Sequence, residues 1–342
     1  MQPNFLNMRL IVRIPSMFKR YLPLVFLLGA VSVMGQTDDL IKVDSAIVRV
    51  NVGVVDQRGR PVMTLGRKDF EVFEDGTKQE ITRFETTTAP FSVVMLLDMS
   101  GSTKSFRQNI KLSAARFLDA LGPEDRVAVV EFYSKINLLT DFTADRARAA
   151  YAISAADGSG DTDLYKALLF SLDKLGRENS RRKAIVVLTD GVDTGTRNED
   201  RKLLASLSPE AVGSAIRPDA SESLTKILGR SDLQGVTIYP LALPTGDPAK
   251  LADPSPLQVE LYRAARARLR LMAERTGGTM NEIERLDQMA TLYAAVAADL
   301  RTLYTLEYQP TNAKRDGQWR AIRVGVANPE FVSRSKTGYF AR

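Results

Sequence analysis

Four runs of mainly apolar residues, at 91–97, 127–132, 184–188 and 236–242, constrain this chain more than any other feature. A strand that is apolar on both faces has to be covered on both, and helices supply the cover. Helical periodicity fills the intervals, at 106–121, 144–153 and 163–175, and returns at 257–275 and 286–301. Strands alternating with helices predict an α/β layered domain over residues 90–302 with a mainly parallel central sheet. The stretch 197–234 is longer than one crossover needs and reads as inserted helices on the rim. Proline and glycine mark 244–256 as a loop.

The flanks follow a different period. Val48, Val50, Val52 and Val54 alternate with Arg49, Asn51 and Gly53, the pattern of a half-buried strand at 46–55. A turn at 57–61, a strand at 70–73, a tight Asp75-Gly76 turn and a strand at 79–85 follow. Strand patterns resume at 303–308, 319–326 and 339–340. Neither flank is large enough to fold well alone. Segments 36–89 and 303–342 are therefore expected to pair into one small sandwich-like β module, with the α/β domain inserted between them. Trp319 and Tyr308 read as its core. Tyr293, Val296 and Leu300, at helical spacing, read as core of the α/β domain, and the arginines of 263–270 as the wet face of a helix carrying Leu261, Leu269 and Leu271.

Composition narrows the chemistry. The 342 residues include no His and no Cys, which excludes Ser-His-Asp and Cys-His catalysis, disulfides and Cys-rich zinc sites. Any metal must sit on oxygen ligands. The formal charge of +6 is concentrated at the start: Arg9, Arg13, Lys19 and Arg20 precede any acid, and 47 cations less these four leaves 43 against 41 acids. No arginine-rich run with interleaved aromatics appears, so nucleic acid is not an expected partner.

Those early cations lead into an apolar run at 21–34, shorter than the roughly 20 residues of a spanning helix. A polar stretch from Gln36 follows. Residues 1–35 therefore read as a signal peptide cut after Gly35, and the protein as exported, periplasmic or secreted. The alternative is an uncleaved N-terminal anchor, the one case in which membrane contact is expected.

The strongest chemical signal lies where the first apolar run ends, at Asp98-Met99-Ser100-Gly101-Ser102. Ligands of open α/β sheets bind at the carboxyl ends of the strands. Thr162, before the helix at 163–175, and Asp190, after the run at 184–188, reach the same edge. Hydroxyl and carboxylate oxygens converging on one point suit a small hard cation. Each piece also has a plainer reading: a helix-capping turn for 98–102, an N-cap for Thr162, a strand-end turn for Asp190-Gly191. Asp161, Asp163 and Asp193 read as solvated loop acids.

These residues resemble the metal-ion-dependent adhesion site of von Willebrand factor type A domains. Asp98, Ser100 and Ser102 match its Asp-x-Ser-x-Ser signature, Thr162 its second-loop threonine and Asp190 its third-loop aspartate. The resemblance implies a three-layer, Rossmann-like fold and Mg²⁺, with Mn²⁺ or Ca²⁺ as alternatives. It also implies that Ser100 and Ser102 ligate directly, Thr162 directly or through water, and Asp98 and Asp190 largely through water. One position would stay open for an Asp or Glu carboxylate of a protein partner. Residues 69–76, 304–310 and 317–340 further resemble the exported VWFA-related Acidobacterial domain proteins.

Neutral hydroxyls around a cation leave it under-neutralised and receptive to one more anionic oxygen. A binding module is therefore the expected function. Two rivals remain: an envelope assembly component acting through its β module, and a phosphohydrolase using Asp98. Aspartyl-phosphate chemistry needs a general acid two residues after the nucleophile, where this chain has Ser100, so no enzymatic activity is expected.

Overall fold

The structure is a computed structural model that describes residues 47–178 and 181–341. The expected signal peptide at 1–35 lies outside the described residues. The described residues all belong to one compact unit. Among the described residues no helix is long and apolar enough to cross a membrane.

The chain opens with β1 (Val48–Val55), β2 (Phe70–Glu74), β3 (Thr77–Gln79) and β4 (Ile81–Glu85). The α/β part follows as β5 (Phe91–Asp98), α1 (Arg107–Ala120), β6 (Arg126–Phe132), β7 (Ile136–Thr143), α2 (Arg146–Ala155), α3 (Leu164–Leu175) and β8 (Arg182–Thr189). It continues through α4 (Thr194–Leu204), α5 (Glu222–Gln234), β9 (Val236–Ala242), α6 (Pro256–Thr276), β10 (Asn281–Glu282) and α7 (Met289–Thr302). The chain finishes with β11 (Leu303–Tyr308), β12 (Trp319–Val326), β13 (Val332–Ser335) and β14 (Gly338–Phe340).

The central sheet has the order β10-β9-β8-β5-β6-β7 and is parallel except for β7, which runs back along β6 as an antiparallel edge. Ile110, Phe117, Ile153 and Tyr293 bring α1, α2 and α7 onto one face, against Val93, Met95 and Leu97. Leu164, Leu168, Ile227 and Leu269 bring α3, α5 and α6 onto the other, against Val94, Leu96 and Ile185. Every residue of β5 and β8 is buried, which is why those stretches carry no polar alternation. The chain leaves β5 toward β6, whereas β8, on the other side of β5, leads onward to β9. The loops after β5 and β8 therefore part at the carboxyl edge and leave a crevice.

Several expectations need correction. The 197–234 stretch is not all rim: α5 is the crossover helix itself, with Leu224, Ile227 and Leu228 buried against the sheet. Its limits are local, since Ser221 accepts from Leu224 N–H at the start and Gly235 turns left-handed (φ 64°) at the end. The strand at 79–85 is two strands. β3 pairs with β2 and β4 with β11, in different sheets, and the break at Glu80 lets the chain cross between them. Strands β7, β10 and β13 have no counterpart among the expected strands.

The remaining strands form two antiparallel sheets, β13-β1-β11-β4 and β14-β12-β2-β3, each drawing strands from both flanks. Val50, Val52, Val72, Tyr304, Leu306 and Val324 meet in one apolar cluster. Tyr308 is buried there and donates to Glu74 at 2.6 Å. Trp319 is not in that core. It differs in parity from Ile322 and Val324, so its ring faces away from them, T-shaped against Phe340 at 5.2 Å and beneath the Arg275 guanidinium at 4.1 Å.

The α6 arginines are not uniformly wet either. Arg266 and Arg268 are buried, because α6 is covered by α4 as well as by the sheet. Arg268 forks onto Asp200 of α4 at 2.6 and 2.8 Å, while Arg263 holds the buried Glu260. Elsewhere Arg182, buried and stacked 3.8 Å over Phe91, donates to the carbonyls of Thr87, Ala89 and Leu303. One side chain thus fastens both points where the chain passes between the α/β part and the outer sheets. Burial lowers its pKa to about 10.

Candidate metal centre

Strand β5 ends at Asp98 and β8 at Thr189, and these adjacent strands bring three loops together. Asp98 Oδ1 accepts from Ser100 N–H at 3.0 Å, and Asp98 Oδ2 accepts from the Thr189 hydroxyl at 2.7 Å. Thr103, fully buried, donates to the carbonyls of Asp98 at 2.8 Å and Ser100 at 3.1 Å, closing the turn on itself. The hydroxyls of Ser100 and Ser102 then lie 3.2 Å apart.

The second loop is tied to the first and the third. Gly101 N–H donates to Gly160 O at 3.0 Å, and a Cβ at Gly101 would meet that oxygen at 3.4 Å. Thr162 N–H donates to Thr194 Oγ1 at 3.0 Å, and Thr194 N–H donates back to Thr162 O at 2.9 Å. In the third loop Val192 N–H donates to Asp190 Oδ1 at 3.0 Å, and Gly191 takes φ 80° where a Cβ would strike Leu269. Asp98, Ser100, Ser102, Thr162 and Asp190 all stand around this junction. Thr103, Thr189, Gly160 and Thr194, which carry no role in the sequence reading, hold it together. Their signal is buried hydroxyls and backbone approach, which have no one-dimensional pattern.

The capping readings do not describe 98–102 or Thr162, whereas Asp190-Gly191 does form a turn at the end of β8. Helix α1 begins at Arg107, after a 3₁₀ turn at Lys104–Phe106, and neither takes a side-chain cap from the 98–102 turn. The N-cap of α3 is Asp163, so the Thr162 hydroxyl is not spent on capping. Asp193, in contrast, is no solvated loop acid: it caps α4 by accepting from Thr196 N–H at 3.0 Å, and it also accepts from Tyr165 N–H at 3.4 Å. Asp161 is exposed as expected.

Electrostatics sets the demand of the site. Asp98 is wholly buried and Asp190 is 2% exposed. Burial, then the neighbouring Asp190 charge, pushes the Asp98 carboxyl up to about 7, against the pull of bonds from Ser100 and Thr189. Burial likewise raises Asp190, opposed by Ser102, Val192 N–H and the charges of Arg266 and Arg197. Among the described residues no group of three carboxylates converges anywhere. Any cation here would therefore meet two carboxylates and neutral hydroxyls, all oxygen, with exposed Ser102 open to solvent. That donor set fits a small hard divalent ion.

Residues 93–192, the span from β5 through the Asp190 turn, match the family model of the von Willebrand factor type A domain. The chain contains a von Willebrand factor type A domain. All five sequence-predicted residues of the centre lie inside the matched span. The match is to the type A domain and not to the narrower Acidobacterial grouping. Comparison with curated proteins finds no match. Among solved structures, the chain is similar to a von Willebrand factor type A protein from Catenulispora acidiphila, with 16% identity and a TM-score of 0.46, over 87% of this chain and 64% of that one. This chain thus spans less than two thirds of that protein's length. It is also similar to the vWF domain of the type V pili tip protein Mfa5 from Porphyromonas gingivalis, at 16% identity and TM-score 0.45, over 62% and 95% of the two chains. A third is proximal thread matrix protein 1 from the mussel byssus with a zinc-occupied MIDAS motif, at 14% identity and TM-score 0.42, over 65% and 48%.

Proposed function

We propose that this protein is an exported, metal-dependent protein-binding module, whose type A domain holds Mg²⁺ and through it grips an Asp or Glu carboxylate of a protein partner. The observation that carries the reading is the pair of Ser100 and Ser102 hydroxyls, 3.2 Å apart, set against two buried aspartates that form no ion pair among the described residues. In this reading Ser100 and Ser102 supply neutral oxygens, Thr162 a third, and Asp98 and Asp190 the negative charge. Both oxygens of Asp98 already accept hydrogen bonds from the chain, which supports its acting from behind water. A cation so held keeps its attraction for one further anionic oxygen, and solvent-exposed Ser102 marks the side from which a partner would supply it.

Calorimetric titration of Mg²⁺ and Mn²⁺ into the chain, beside Asp98→Ala and Ser100→Ala variants checked by circular dichroism, tests this. One ion per wild-type chain and none in either folded variant is the expected result. Equal binding by all three would move the metal elsewhere and remove the reading.

A further inference from the structure

Beside the oxygen cluster the surface sinks into a cleft of about 510 Å³ between α4 and α6, with Ser102, Thr162 and Asp190 at one end. Helix α4 presents Arg197 and Arg201 to this cleft, four residues apart and so on one face of the helix. The other charged groups near them are engaged. Arg268 and Asp200 are paired with each other, and Asp193 caps α4. Exposed Asp161 is in water at the rim. Among the described residues Arg197 and Arg201 have no ion-pair partner, and the buried Nε of Arg197 has no acceptor at all. Arginine is always charged and offers a fork of donors matched to a carboxylate. A buried donor left without an acceptor is costly until a ligand supplies one.

We infer that Arg197 and Arg201 form a second anion subsite, so that the partner of this domain is an acidic segment with two carboxylates, one for the metal and one for the α4 arginines. This rests on the metal–carboxylate reading above and adds to it a requirement on the partner's sequence. Arg197 lies in the first turn of α4, next to the Asp190 loop, and Arg201 lies one helical turn further along the helix. A single acid can fill the metal's open position. A second, separated from it by one to three residues, reaches the guanidinium pair.

The probes are capped peptides with one Asp, or with two Asp separated by one, two or three Gly, titrated into the full chain in saturating Mg²⁺ and again in EDTA. The best two-acid peptide is expected to bind about tenfold more tightly than the one-acid peptide. That ratio should collapse toward one in Arg201→Gln and in Arg197→Gln, and should need Mg²⁺. A wild-type ratio near one for every spacing overturns the second subsite and leaves the metal–carboxylate reading standing. A ratio that survives in both folded variants, or persists in EDTA, overturns it as well. If no peptide binds in a Mg²⁺-dependent way, the metal–carboxylate reading falls and takes this inference with it.

Discussion

Thr189 donates its hydroxyl to Asp98 Oδ2 at 2.7 Å, and this one bond joins the carboxyl ends of β8 and β5 beneath the candidate metal centre. Thr189→Val keeps the shape and removes both the donor to Asp98 and the acceptor of Gly191 N–H. A buried carboxylate that loses a hydrogen bond costs about 1–3 kcal/mol, to be read as a lower urea midpoint in metal-free protein. Metal affinity should fall about 10- to 100-fold, because the aspartate is no longer held in one orientation. Calorimetry showing unchanged affinity would remove the positioning role of Thr189.

Binding of a metal to the folded chain alone stabilises it. At a free Mg²⁺ concentration 100 times Kd the gain is about 2.7 kcal/mol, and EDTA should reverse it. Asp98→Asn and Ser100→Ala should both lose this gain while remaining folded. In the absence of metal, Asp98→Asn is expected to be no less stable than wild type near neutral pH, since it removes one of two buried negative charges that oppose each other. Denaturation curves with and without Mg²⁺ measure both effects.

The buried fork between Arg268 and Asp200 fixes α4, which follows directly on the Asp190 loop, against α6. Arg268→Met leaves Asp200 buried without its cation, at a cost of about 3–5 kcal/mol. The paired change Arg268→Met with Asp200→Leu should recover most of that loss. Faster hydrogen exchange in α4 of the single variant, with a weaker metal titration, is the expected signature. An unshifted unfolding midpoint would mean that the pair contributes no net stability.

Lys336 is buried, with Asp232 Oδ1 at 3.6 Å, and Arg275 lies 3.6 Å from the other oxygen of the same aspartate. Burial pushes the Lys336 ammonium below its usual pKa. A base whose pKa is depressed by folding contributes stability that is complete above the unfolded pKa of about 10.4 and is lost as pH falls through the folded one. Wild type should therefore gain stability relative to Lys336→Met as pH rises toward the unfolded pKa. Parallel urea midpoints for the two proteins over that rise would show that the ammonium is not strained by burial.

The site was legible in the sequence to the extent that its residues sit next to strand ends. Asp98, Ser100, Ser102, Thr162 and Asp190 each follow an apolar run or precede a helix, and a strand must deliver its last residue to the carboxyl edge. Thr189 and Thr194 could not be read in this way. A threonine in a strand or at a helix start is ordinary, and only the approach of another loop gives it a partner.

What the sequence alone determined is the period of each segment: two-sided burial for β5 and β8, alternation for β1, helical spacing for α1, α3 and α6. It also bounded the chemistry, since a chain without His or Cys can offer a hard divalent cation only oxygen. Tertiary structure decided which segments became neighbours. It carried β4 into a different sheet from β3, buried Arg266 and Arg268 under α4, and made α5 a crossover helix. The physical reason is the same in each case. Local pattern is set by steric and solvent preferences that act over a few residues, whereas pairing and burial depend on which distant surfaces exclude water from one another.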